Sequence, residues 1–239
     1  ESGLKTRHIR WIDFIPLLYD DSGEEYDHFS ISLGRLSELV EADCHYTYPL
    51  PDDFRLERLQ KLNRFVELVG NNDASETQIT EFLATDEFKF ILLMKFCAES
   101  IHSELTCKWQ SEDRLDIRPD FFVVYPNGYA DIVEFKLPHL KTKSVVGRDN
   151  RETLSAEINS YISQTRTYRK YFDDPNNREW FFHTYGFKVH KPRRFLVVGR
   201  RWHFSVDDWR EIISDFRDIE IITYDDLIDG VVAQFYTSY

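Results

Sequence analysis

The sequence has few cysteines, one methionine and no long apolar run. Its three cysteines, Cys44, Cys97 and Cys107, are odd in number and share no CxxC spacing. That excludes a disulfide scaffold or a cysteine-based zinc site and points to reduced thiols in a cytoplasmic protein. Eight histidines are scattered, none paired at HxxxH spacing, so a histidine metal centre is not indicated. No stretch approaches the roughly 18 apolar residues of a membrane span, so no membrane partner is expected. Residues 1–20 mix Lys5, Arg7, Arg10 and Asp13 with short apolar pieces, unlike a secretory signal. The first residue is Glu1 and the only methionine is Met94, the pattern expected of a fragment from a longer protein. There is no GxxxxGK[ST] loop for nucleotide hydrolysis, and neither a serine–histidine nor a cysteine–histidine arrangement. Repeats and low-complexity segments are also absent.

What is present is core-forming material. The 239 residues are 42% hydrophobic and 15% aromatic, enough for one large domain or a domain with an extension. The net charge of −12 argues against a protein that coats nucleic acid. The charge is uneven, however. Residues 136–201 hold 15 Lys+Arg against 6 Asp+Glu, a local +9; the remaining residues hold 15 against 36, or −21. Such asymmetry suits one face that meets a polyanion while the rest keeps the protein soluble.

Residues 8–50 read as short strands with a helix near 33–42, a β-containing extension over 1–52. The prolines of "YPLPDD" (48–53) mark a linker. From 54 to 69, Leu56, Leu59, Leu62, Phe65, Val66 and Val69 recur at helical spacing. Ser75 caps a second helix, "ETQITEFLA". A third is expected near 86–103. Strands follow at about 105–110, 115–125 and 129–137. Further expectations are a helix at about 153–172, a buried strand in "RRFLVVGR" (193–200), a helix after Ser205 as cap, a strand in "IEIITY", and a last helix over 225–235. Helices before and between strands, with a central hairpin, predict an α/β fold whose mixed β-sheet is covered on both faces. Trp180, Phe181 and Phe182 suit core packing or a subunit interface.

The hairpin "IRPDFFVVYPNGYADIVEFKLP" (117–138) carries Asp120, Glu134 and Lys136 among apolar neighbours. In Tyr125-Pro126-Asn127-Gly128 the proline suits a type I turn and the glycine a left-handed bulge. Tyr125 then pairs with Tyr129, and Asp120 falls opposite Glu134, with Lys136 on the same face. A two-residue Asn-Gly turn is the rival; it would set Asp120 opposite Phe135. In the preferred register the two carboxylates lie about 4.5–5.5 Å apart at Cβ. Their repulsion needs a proton, Lys136 or a divalent cation. Mg²⁺ or Mn²⁺ suits such oxygen donors. With a lysine alongside, the set suits phosphodiester hydrolysis. The same residues also suit a plain ion network in which Lys136 balances two acids. On the following helix, Glu157, Tyr161, Gln164 and Tyr168 share one face, while Arg166, Arg169 and Lys170 point elsewhere.

"RPD…VEFK" resembles the PD-(D/E)XK signature of restriction-endonuclease-like proteins, and Gln164-Thr-Arg-Thr-Tyr168 the QxxxY motif of their RecB-like branch. "SETQITEFL", "RPDF", "IVEFKLP", "INSYISQTRTYRKYF", "FLVVGR" and "IEIITYDDLI" together resemble the C-terminal nuclease domain of Shedu antiphage defence proteins, over about residues 75–230. The resemblance implies a metal-dependent DNA endonuclease, a homo-oligomer (dimer or tetramer) acting on phage or plasmid DNA. It implies a nuclease domain over 53–239, with 1–52 a sensing or oligomerising extension. Asp120 and Glu134 would bind Mg²⁺ or Mn²⁺, Lys136 would assist the water, and Glu76, with Glu81 in reserve, would complete the site. Gln164 and Tyr168 would support it. Lys141, Lys143, Arg148, Arg166, Arg169 and Lys170 are candidate DNA contacts. Two other functions suit the same pattern: a binding module silent in catalysis, and a repair or junction-resolving nuclease.

Overall fold

The computed structural model describes residues 53–140, 143–147, 152–204 and 206–236, within a compact unit spanning Asp53–Thr237. The elements expected within residues 8–50, the Ser205 cap, Lys141 and Arg148 lie outside the described residues, as does nearly all of the 48–53 linker.

Helix α1 (Asp53–Gly70) buries Leu62, Phe65 and Val69 at three- and four-residue spacing. Val66, expected on that face, is exposed. Helix α2 (Glu76–Ala84) starts at Ser75, whose hydroxyl accepts from Gln78 N–H while the Gln78 side chain accepts from Ser75 N–H. This capping box satisfies two orphan donors of the helix start. Ser75→Ala should therefore cost about 1 kcal/mol in urea denaturation, and it loosens the turn that carries Glu76.

Helix α3 is only Phe90–Phe96, not the long helix expected over 86–103. Cys97 takes the left-handed conformation, φ 51°, and its N–H closes on Leu93 and Met94 carbonyls, so the chain turns out of the helix. It re-enters as strand β1 (Ser100–Ser103). The strand expected at 105–110 is replaced by a single bridge, Cys107 to Ile117. Strands β2 (Phe121–Val124) and β3 (Ala130–Phe135) form the central hairpin. A short ribbon, β4 (Val145–Val146) with β5 (Thr153–Leu154), precedes α4 (Ala156–Asp173), which Ser155 caps. Helix α5 (Pro175–Tyr185) was not expected, although it has Asp174 as cap, Pro175 in its first turn and Gly186 (φ 84°) at its end. Strand β6 (Arg194–Val197), helix α6 (Val206–Ser214), strand β7 (Glu220–Ile222) and helix α7 (Tyr224–Tyr236) complete the order.

The main sheet runs β1-β2-β3-β6-β7. β1, β2 and β3 are antiparallel neighbours, whereas β6 and β7 join parallel. Alternation along the strands loads both faces. Phe121, Val123, Val133, Phe135 and Val197 pack with α1, α2, α3 and α7. Phe122, Ile132, Leu196 and Ile221 face the side covered by α4, α5 and α6. The architecture is thus a restriction-endonuclease-like mixed sheet between helical layers. Of the aromatic stretch expected in the core, Phe181 is fully buried and Trp180 partly so, whereas Phe182 is exposed. Cys97 and Cys107 are free thiols. No helix among the described residues is long and apolar enough to cross a membrane.

Candidate active site

The β2–β3 turn fixes what can meet across the hairpin. Gly128 has φ 77°, its N–H donates to Tyr125 carbonyl at 2.8 Å, and Tyr125 N–H donates to Tyr129 carbonyl at 2.9 Å. Phe121 pairs with Val133 and Val124 with Ala130, the three-residue-loop register. One step beyond the ladder, Asp120 stands opposite Glu134, and Asp120 Oδ2 accepts the Phe135 N–H at 2.7 Å. The rival two-residue turn is excluded.

Within a strand buried at every position, Glu134 is 1% exposed and faces the α4 side. Its carboxylate accepts three hydrogen bonds. Lys136 Nζ and Gln164 Nε2 donate to Oε1 at 3.0 and 2.8 Å, and Tyr168 hydroxyl donates to Oε2 at 2.9 Å. Gln164 and Tyr168, one helical turn apart on α4, also bond each other at 3.1 Å. Lys136, 7% exposed, reaches across to Glu76 Oε2 at 3.3 Å. Its backbone is held by its N–H to Val197 carbonyl at 2.9 Å and by Tyr224 hydroxyl to its own carbonyl at 2.6 Å. Its ammonium lies 5.4 Å from the Tyr161 ring centre, a favourable cation–π distance. Tyr161 in turn donates to Glu157 at 2.8 Å. Glu76 is the acid of α2 that meets the lysine; Glu81 is exposed.

Burial first, and then the Glu134 charge, push the Asp120 carboxyl up to about 7. Burial likewise raises Glu134, against the opposing pull of Lys136 and Tyr168. For Lys136 burial disfavours the ammonium, but Glu134, Glu76 and Asp120 outweigh it and hold it above the usual lysine range. With all three carboxylates ionised, one ammonium would leave two negative charges around a pocket whose Glu134 and Lys136 are buried. Hard oxygen donors with that deficit suit a divalent cation. Among the described residues no three His, Cys, Asp or Glu side chains are grouped as a ready metal cage. Mg²⁺ does not need one, since it keeps several waters and binds through one or two carboxylates. Asp120 and Glu134 are the pair that fits.

Four of the candidate DNA contacts lie among the described residues. Lys143 and Arg166 are exposed. Arg169 is ion-paired with Asp218, and Lys170 lies 3.7 Å from Glu112. Tyr224 escaped the sequence reading; its bond to Lys136 spans 88 positions, and nothing local marks it.

The model of a protein family described as Shedu protein SduA, C-terminal, matches residues 73–228, well over half of the chain. No curated protein matches it.

Proposed function

The chain belongs to the Shedu SduA C-terminal family, a family of antiphage defence, and on that premise we propose that it is a metal-dependent DNA endonuclease that cuts invading phage or plasmid DNA. The observation that carries this reading is the meeting of Asp120, Glu134 and Lys136 at the end of one hairpin, with Gln164 and Tyr168 fastening Glu134 from behind.

Asp120 and Glu134 would hold the ion. A bound Mg²⁺ or Mn²⁺ would polarise the phosphate and acidify a water. The chain's own groups do the rest. In hydrolysis a water oxygen bonds to phosphorus, the P–O ester bond breaks, and the departing oxygen gains a proton. Lys136 supplies a positive charge where the phosphorane gathers negative charge, and its N–H groups can aim the water. To act so it must leave Glu134 and Glu76 for the phosphate. Glu134 keeps its position meanwhile, since Gln164 binds Oε1 and Tyr168 binds Oε2 independently of the lysine. Glu76, whose side chain is 38% exposed, is the carboxylate best able to release the ammonium into a wet mouth.

Supercoiled plasmid is expected to be nicked or linearised in Mg²⁺ or Mn²⁺ and left intact in EDTA. Plasmid that stays supercoiled in both metals over a range of enzyme concentrations would remove the nuclease reading. The silent binding module, favoured by the ion pairs Lys136 already makes with Glu134 and Glu76, would then take its place.

A further inference from the structure

The start of β6 carries a guanidinium with an incomplete set of partners. Arg194 is 2% exposed. Its Nη1 donates to Thr165 Oγ1 and its Nη2 to the Asp218 carbonyl, each at 3.0 Å. Its Nε is the one buried side-chain nitrogen or oxygen among the described residues with no hydrogen-bond partner. Nor does any carboxylate among them form an ion pair with it; that of Asp218 is taken by Arg169. Burial, only partly offset by Asp218, holds the guanidinium below the usual arginine range. A buried charge left in this state is unfavourable and calls for an anion.

A cavity of about 350 Å³ opens on Arg194. Arg166 and Arg217 line it too, and neither side chain has a hydrogen bond or ion pair among the described residues. Asp215 and Asp218 are its acids, the latter already paired. A second cavity, of about 280 Å³, shares Arg194 and Arg217. We propose that this cavity is a second binding site, taking the terminal phosphoryl group of a small phosphate monoester such as a nucleoside monophosphate, with Arg194 at its floor and Arg166 and Arg217 at its mouth.

Three guanidiniums match a dianion better than a monocarboxylate, and the planar fork of arginine suits two phosphate oxygens at once. The volume falls in the range of small-ligand sites. A side chain only 2% exposed is out of reach of the diesters of a duplex lying on the surface, whereas a terminal phosphoryl group is narrow enough to enter. The site is separate from the catalytic pocket. Glu134 and Arg194 occupy neighbouring strands on one sheet face, but α4 divides them: Gln164 and Tyr168 bond to Glu134, and Thr165 bonds to Arg194.

Equilibrium dialysis of the full chain in EDTA, at fixed ionic strength, tests this with radiolabelled inorganic phosphate, deoxyadenosine 5′-monophosphate and deoxyadenosine. The two phosphates should bind and the nucleoside should not. Arg194→Met should abolish binding. Because that substitution alters the core, the double variant Arg166→Gln/Arg217→Gln, which changes two exposed residues, is the decisive one; it should weaken both phosphates at least about tenfold. Failure of both phosphates to bind at millimolar concentration overturns the site. So does binding that deoxyadenosine matches, or that the double variant leaves unchanged.

Discussion

Lys136→Met is expected to lower plasmid cleavage by at least about 100-fold, the scale seen when one charge-stabilising donor is removed from a transition state. Methionine keeps the apolar stem out to Cε, so the change is chiefly the loss of the ammonium. That loss has a second consequence. Glu134 is 1% exposed and its carboxylate takes Lys136 at 3.0 Å. Removing one partner of a buried ion pair costs about 3–5 kcal/mol, so the variant should be less stable in EDTA at pH 8. Lower pH should restore stability, because the orphaned carboxylates then accept protons; Mn²⁺ should restore it by supplying charge. Cleavage must therefore be compared at saturating Mn²⁺, where the variant is folded. A variant that is stable there and still cuts as fast as the parent would reduce Lys136 to a counter-ion, and the role given to it in hydrolysis would fall.

The features that position this lysine differ in how far they could be read beforehand. The hairpin was legible because Pro126, Asn127 and Gly128 have restricted dihedral preferences; the proline favours the three-residue loop, while Asn-Gly also suits the two-residue turn, and the Tyr125–Tyr129 pairing decides between them. From that choice the Asp120–Glu134 pairing follows by counting. The Gln164–Tyr168 pair was legible because helical periodicity is local. Ser75 was legible as a cap for the same reason. The end of α3 was not: Cys97 is a non-glycine residue with φ 51°, and no propensity announces that. The periodicity of 86–96 carries on into Ile101, which β2 then claims through pairing at Val123. Tyr224 and Arg194 lay beyond sequence reasoning for a different reason. Their roles come from contacts with Lys136 and Thr165 across 88 and 29 positions, which only the packed sheet creates.

Asp120→Asn should have opposite effects on stability and on activity. In the folded, metal-free protein the Asp120 carboxyl titrates at about 7, against an ordinary value of 3.8. Between those two pH values the native state holds a proton that the unfolded chain has released, so stability falls as pH rises through the window and levels off above it. At about 1.4 kcal/mol per pH unit, the penalty by pH 8 is at most about 4 kcal/mol. Asparagine carries no such charge, and its amide oxygen can still accept the Phe135 N–H. The variant should match the parent only below about pH 4, where the carboxyl is protonated in both the folded and unfolded states, and exceed it progressively to a few kcal/mol at pH 8, in urea titrations run in EDTA. Comparing the two proteins is essential, because His102 and His203 act in the other direction. Burial holds both imidazoles below their usual range, so each adds stability as pH rises towards 6.5, equally in parent and variant. Mn²⁺ should flatten the parent's slope by displacing the Asp120 proton, and it should do little for the variant, which also stops cutting. Parallel slopes for the two proteins between pH 5 and 8 would mean that Asp120 carries no raised carboxyl. The repulsion from Glu134 on which the metal site depends would then be too weak to need an ion.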